Sequence, residues 1–203
     1  MKILKLPKRK ILPIISLLLC LVCITSCKDR LYSVGKGPSM IPGLLPGDFV
    51  YIEKATKYDY GDIVVFDNND GFRSIFRVAG IPADTIGMDD YICIINGKKN
   101  GYNMMGRREL DIGSRCPFEV KILKEEFPNG NKYEIYIELN IDLSNIEIID
   151  SFNPLYIPEN SYFVLGDFRN SAKDSRFRGM IPYEKIKGKV IKIKRDKKII
   201  NVK

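Results

Sequence analysis

The 203-residue chain contains no histidine and only five cysteines. Without histidine and without clustered cysteines, a catalytic zinc site of the usual kind is not expected, and neither is any cofactor. The cysteines do not form a disulfide framework. Cys20 and Cys23 lie within an apolar run and Cys27 at its end, leaving Cys93 and Cys116 as the body's two thiols, whose pairing in an oxidising compartment stays open. The apolar run, Ile11 to Thr25, has about fifteen residues where a spanning helix needs roughly 20. Helical periodicity is weak, and there is no internal repeat or low-complexity segment. A basic nucleic-acid groove is lacking too, despite a formal net charge of +8. Five basic residues precede Ile11 and nine fall between Lys185 and Lys203, so residues 11–184 carry 19 basic against 24 acidic side chains. No nucleic-acid partner is expected.

What is present at the N-terminal side is a basic cluster followed by the apolar run, the order of a membrane-insertion signal with the positive end inside. Ile24-Thr25-Ser26-Cys27 resembles a bacterial lipobox, which makes Cys27 a lipidation candidate. A cleaved, lipidated chain and an uncleaved anchor both remain open, and both place the body outside the cytoplasm at a membrane surface. The basic tail from Lys185 alternates like an edge strand; it is read as a solvated strand with charged gatekeepers or as a contact for anionic lipid.

Past Asp29 the pattern is that of strands. Asp48–Glu53, Asp62–Phe66, Ser74–Val78, Tyr91–Asn96, Lys132–Leu139, Tyr162–Leu165 and Lys189–Lys194 are short and rich in β-branched and aromatic residues. Turn clusters such as Pro46-Gly47, Asn96-Gly97 and Pro128-Asn129-Gly130 separate them. One helical turn is expected after Asp174. The fold class is therefore mainly β, in antiparallel sheets. The expected division is an N-terminal segment 1–27, a core from 28–90 and 161–203, and an inserted β-rich subdomain over 91–160. No side chain of that insert suggests a chemical role.

Gly37-Pro38-Ser39-Met40-Ile41-Pro42 holds a serine in a Gly/Pro turn that exposes a hydroxyl and aims a backbone N–H nearby, as nucleophilic catalysis requires. A serine in such a loop is ordinarily just a turn residue. Three further segments change its meaning. Ser39-Met40-x-Pro42 with Gly47-Asp48, Tyr60-Gly61-Asp62-Ile63-Val64-Val65-Phe66, Arg77-Val78-Ala79-Gly80-Ile81-Pro82-Ala83-Asp84 and the stretch Gly166 to Gly179 resemble, in order, the four boxes of the type I signal peptidase family.

The resemblance implies a complex β-fold that binds precursor proteins carrying signal peptides and cuts them beside membrane lipid, after small residues at the first and third positions before the cut. Ser39 takes the nucleophile's place, Gly37 and Met40 border the substrate, and Met40 is equally read as core filling. Asp167, Arg169, Asp174 and Arg176 have the types and spacing of a charge-assisted network bracing the last loop. The family's base is a lysine directly before the Arg-Val pair, where this chain has Phe76. The serine that orients that lysine is replaced by Ala172, the usual Gly of the third box by Ala83, and an Asn by Phe168, which would make the site more apolar. Lys173 is the nearest lysine of the last box, either a substitute base or a solvated loop residue. Two readings follow: a serine endopeptidase with an unconventional base, or a pseudo-peptidase that binds signal-peptide-like segments. The related self-cleaving repressors share a Ser–Lys core but carry a DNA-binding domain where this chain has an export segment, so that reading is rejected.

Overall fold

A computed structural model describes residues 30–68, 70–113, 117–139 and 149–202. The chain divides into two units, residues 1–30 and 31–203. The apolar run with Cys20, Cys23 and Cys27 lies outside the described residues, as does Cys116.

In chain order the strands are β1 (Arg30–Ser33), β2 (Phe49–Glu53), β3 (Ile63–Asp67), β4 (Arg73–Gly80), β5 (Thr85–Asp89), β6 (Ile92–Ile95), β7 (Lys98–Lys99) and β8 (Gly101–Leu110). They continue with β9 (Phe118–Glu126), β10 (Lys132–Glu138), β11 (Phe152–Tyr156), β12 (Ser161–Leu165), β13 (Ile181–Pro182), β14 (Ile186–Arg195) and β15 (Lys198–Asn201). A single α-helical turn, α1 (Ser175–Arg178), is found among the described residues, where the Asp174 side chain accepts from the Arg176 N–H and Gly179 closes it at φ 78°. No helix among them is long and apolar enough to cross a membrane.

The largest sheet runs β1-β2-β14-β3-β4-β12-β13, with β15 paired to β14. Its middle is β3, Ile-Val-Val-Phe-Asp, in which the four apolar residues are buried on both faces, as expected of an apolar run flanked by strands on each side. The edge strand β15 is exposed throughout. Nineteen described residues of this sheet and its loops, among them Met40, Val65, Phe76, Val164 and Ala172, form one buried apolar cluster.

The strands between Thr85 and Tyr156 form two smaller antiparallel sheets, β11-β5-β6-β7 and β10-β9-β8. β5, on the core side of the division expected at residue 91, pairs with β6 and β11 instead. The β6–β7 hairpin closes through Asn96 and Gly97 at φ 50° and 76°, the two positive values that a tight primed turn demands. Strand β10 also runs beside the loop after β12. The Tyr136 N–H donates to the Asp167 carbonyl at 2.9 Å, and Asn170 exchanges two hydrogen bonds with the Glu138 backbone. The last loop is thus shared by the large sheet and a small one.

Candidate active site

The turn bearing Ser39 is fixed by its own backbone. The Ile41 N–H donates to the Pro38 carbonyl at 2.9 Å and the Leu44 N–H to the Met40 carbonyl at 2.8 Å. Asp48 ends the turn buried, accepting from the Leu45 N–H at 2.8 Å and from Arg195 of β14 at 2.7 Å. That Asp48 contact holds the Arg195 guanidinium more strongly protonated than usual. Lys187 and Lys189 pair with Asp67 and Asp62 as well, so part of the basic tail neutralises the sheet's own carboxylates.

Ser39 is half-buried at a cavity of about 330 Å³. The cavity is lined by Tyr32 to Gly35 on one side, by Arg73 to Phe76 on the other, and by Gly37, Met40 and Val65. Strand register explains why it is there. β12 pairs with β4 through Arg77 to Gly80, whereas β3 pairs with β4 along Arg73 to Arg77. Arg73 to Phe76 therefore has a strand on the β3 side and none on the β12 side among the described residues. The edge strand β1 comes to this opening, where the Arg73 guanidinium carbon lies 4.9 Å from the Tyr32 ring centre. Between them is a slot whose strand edges are unpaired among the described residues, the feature to which an extended peptide adds by main-chain hydrogen bonds.

Phe76 lines the slot, is 7% exposed, and lies 6.1 Å from the Phe66 ring centre. Met40 both lines the cavity and packs in the main cluster, so the two readings of it hold together. Gly166 packs against both Ala172 and the Ser39 backbone. A Cβ built on Gly166 would fall 2.3 Å from the Ala172 Cβ and 2.6 Å from the Ser39 carbonyl oxygen. That carbonyl accepts the Phe168 N–H at 3.0 Å. Ser39, Phe76 and the pair Gly166 and Ala172 are thus gathered from three distant segments.

Two more residues of the last loop lie away from the cavity. Lys173 is exposed and absent from the cavity lining; only its carbonyl is engaged, accepting from Arg178 Nε at 3.1 Å. Phe168 does not make the cavity more apolar. Its ring packs away from it with Ile41, Val120 and Tyr136, stacking on Phe118 at 6.1 Å, because the 166–170 loop turns that side chain into the β8–β10 sheet.

The side chains of Asp167, Arg169, Asp174 and Arg176 in the last loop are buried, yet they pair outward as much as with each other. Asp174 and Arg176 bind at 2.8 Å, and Asp174 also accepts the Gly166 N–H at 2.9 Å. Asp167 makes a two-pronged bond to Arg77 of β4 at 2.7 and 2.6 Å, and Arg77 also donates to the Gly61 carbonyl at 2.8 Å. This joins the second, third and last boxes. Arg169 reaches the smaller sheets, pairing with Glu125 of β9 at 2.5 Å.

Glu125 is the residue that the sequence reading passed over, in a segment to which it gave no chemical role. It reads there as one of a charged run, Lys124-Glu125-Glu126. Period-two alternation in β9 nevertheless puts Glu125 on the buried face with Leu123. Cys93 is buried beside it, and burial together with the nearby carboxylate pushes the thiol well up, away from the reactive thiolate.

A mainly-β domain with an open strand slot and a serine turn at its lip is the class into which this chain falls. The chain belongs to the signal peptidase family, peptidase S26, whose model matches residues 8–193. It is 35% identical over 153 residues to signal peptidase I of Rickettsia conorii, covering 68% of this chain and 53% of that protein. To signal peptidase I of Bacillus licheniformis it is 28% identical over 159 residues, covering 75% and 70%. The chain thus spans about half the length of the rickettsial relatives it matches. A crystal structure of a signal peptidase I from Enterococcus faecalis V583 aligns at 23% identity and a TM-score of 0.38, covering 67% of this chain and 98% of that one.

Proposed function

We propose that this protein is a signal peptidase I-like serine endopeptidase, with Ser39 as the nucleophile, that cleaves signal peptides from exported precursors at the outer face of a membrane. The observation that carries the proposal is Ser39 at the lip of a slot bordered by β1 and the uncovered half of β4. An extended precursor segment lying in that slot brings successive backbone groups past one hydroxyl. Small side chains before the cut suit a floor already occupied by Met40, Val65 and Phe76.

In this reading Phe76 stands where relatives carry the lysine base, and Ala172 where they carry its orienting serine. The surroundings remain those that would suit a neutral amine, since an apolar cluster disfavours the ammonium form. Phenylalanine accepts no proton, and the guanidinium of Arg73 stays charged. Attack by Ser39 then passes its proton to solvent in the open slot, or to Lys173 if that side chain reaches in. The loss of a positioned base typically costs ~10²–10⁴-fold in rate, so slow turnover is expected.

The test is cleavage of a precursor with an Ala-x-Ala site by the full chain in detergent. Wild type, Ser39→Ala, Lys173→Ala and the double variant Phe76→Lys with Ala172→Ser are compared. Slow wild-type cleavage, lost in Ser39→Ala and accelerated in the double variant, is the expected result. Lys173→Ala separates a lysine-assisted from a solvent-assisted attack. Cleavage that persists undiminished in Ser39→Ala, or no cleavage in either wild type or the double variant, would sink the proposal.

A further inference from the structure

The Ser39 turn is not held by the large sheet alone. Its carbonyl is bound by the Phe168 N–H, and its back rests against Gly166, so the 166–170 loop sets where the serine sits. That loop is tied in turn by one guanidinium. Arg169, fully buried, donates from Nε to the Gly166 carbonyl at 3.2 Å, from Nη1 to the Tyr91 carbonyl, and from Nη2 to the Tyr133 hydroxyl at 2.9 Å.

The charge that balances it comes from a different sheet. Glu125 is also fully buried, and both its carboxylate oxygens are used. Oε2 accepts from Arg169 at 2.5 Å and from the Tyr133 hydroxyl at 3.0 Å. Oε1 accepts from the Cys93 N–H and from Asn100 Nδ2, both at 3.0 Å. Burial works to raise the carboxyl and to lower the guanidinium. Burial is the largest single influence on each, but Arg169 together with the hydrogen bonds from Cys93 and Asn100 holds Glu125 below its ordinary range, and Glu125 together with Tyr133 and Cys93 holds Arg169 above its own.

A pair withdrawn so fully from water is a poor way to gain stability, because desolvation consumes most of the attraction. It is a good way to fix direction, because the planar fork accepts only one arrangement of its partners. We infer that Glu125 is a positioning residue. Through Arg169 it fixes the 166–170 loop, and through the Phe168 N–H it fixes the backbone of Ser39. The insert is then part of the site's machinery, although no atom of β9 lines the cavity.

The inference rests on the nucleophilic reading of Ser39 for its kinetic consequence only; the geometric consequence stands without turnover. The measurement is amide hydrogen exchange of the full chain, comparing the Phe168 amide with that of Val64 in central β3. In Glu125→Gln, the Phe168 amide is expected to lose about 10- to 100-fold of its protection while Val64 keeps its own. Cleavage, if the wild type cleaves, should lose on the order of 10²-fold in kcat with KM little changed, as a misplaced nucleophile does. If Glu125→Gln does not fold, Arg169→Lys reads the same amide, since a point charge cannot span the four acceptors.

The double variant Glu125→Leu with Arg169→Leu separates positioning from mere support. It removes both charges and should recover thermal stability without recovering Phe168 protection. Unchanged Phe168 protection in Glu125→Gln would overturn the inference, as would a double variant that restores both stability and protection. A wild type with a protected Phe168 amide but no cleavage would count against the proposed activity and leave the positioning role supported.

Discussion

The two faces of the loop from Gly166 to Arg176 are built from opposite materials. Toward the slot it presents Ala172, packed in a cluster with Met40, Val65 and Phe76. Away from the slot it presents Asp167, Arg169, Asp174 and Arg176, each matched to a buried partner. The slot side is apolar, while the far side holds a set of buried charges. Replacing buried ion pairs by apolar residues is often neutral or stabilising, so stability alone gives no reason to keep them. Geometry does: the charges hold the backbone that meets Ser39. The loop so supported is the one whose Phe168 N–H binds the Ser39 carbonyl.

The comparison breaks most visibly where one half of an ion pair is removed. Asp167→Ala leaves the Arg77 guanidinium buried against Tyr133 without its counter-charge. A loss of ~3–5 kcal/mol is expected for breaking such a pair, read from urea unfolding. A loss under about 1 kcal/mol would mean that the Gly61 carbonyl and solvent suffice for Arg77, and the contrast between the two faces would fail.

On the slot side the expected cost is smaller, but its effect on Ser39 is more direct. Gly166→Ala places a methyl group 2.3 Å from the Ala172 Cβ and 2.6 Å from the Ser39 carbonyl oxygen. The second contact is with backbone, which cannot rotate away. Overpacking of this kind costs about 1–3 kcal/mol, and here part of it should be relieved by moving Ser39. Thermal melts should show a modest drop, and any Ser39-dependent cleavage should fall much further. Equal losses in both would indicate general loosening instead of displacement of the nucleophile.

Much of this was legible beforehand, for physical reasons. Ile63–Asp67 shows itself as an apolar run and Lys132–Glu138 by its alternation, each bounded by turn residues. β8 did not, because Gly-Tyr-Asn-Met-Met-Gly-Arg-Arg-Glu-Leu is exposed almost throughout and has no apolar face to give a period. β1, β7 and β13 are too short to be distinguished from loops. Within the site, Ser39, Phe76 and Ala172 could be grouped because local motifs carried them. Gly166, the neighbour of Ser39 and Ala172, could be named, but not its approach to the Ser39 carbonyl. Asp167 and Arg169 could be recognised as a network without their partners Arg77 and Glu125, because ion pairing over 90 and 44 positions leaves no local trace.

The smallest expected effect lies at Ala83, where sequence and backbone meet. The third box resembles a pattern that has glycine at this position, and Ala83 adopts φ 69°, the left-handed region that a Cβ disfavours. The turn is held there by hydrogen bonds on both sides: the Ala83 N–H to the Ile157 carbonyl at 3.0 Å, and the buried Asp84 carboxylate receiving the Tyr60 hydroxyl at 2.6 Å. Ala83 itself is exposed, so its methyl group contributes little packing. Ala83→Gly removes about 1–2 kcal/mol of left-handed strain. It also returns about 0.4–1 kcal/mol of freedom to the unfolded chain. The first term is the larger, leaving a net gain of roughly 0.5–1 kcal/mol, which for a chain of this size raises Tm by about 1–4 °C. A fall in Tm would mean that the unfolded-state term dominates and that the turn is already relaxed around alanine. A rise would identify strain tolerated at the junction of the two β regions, where the Asp84 bonds fix the turn more firmly than its own residue prefers.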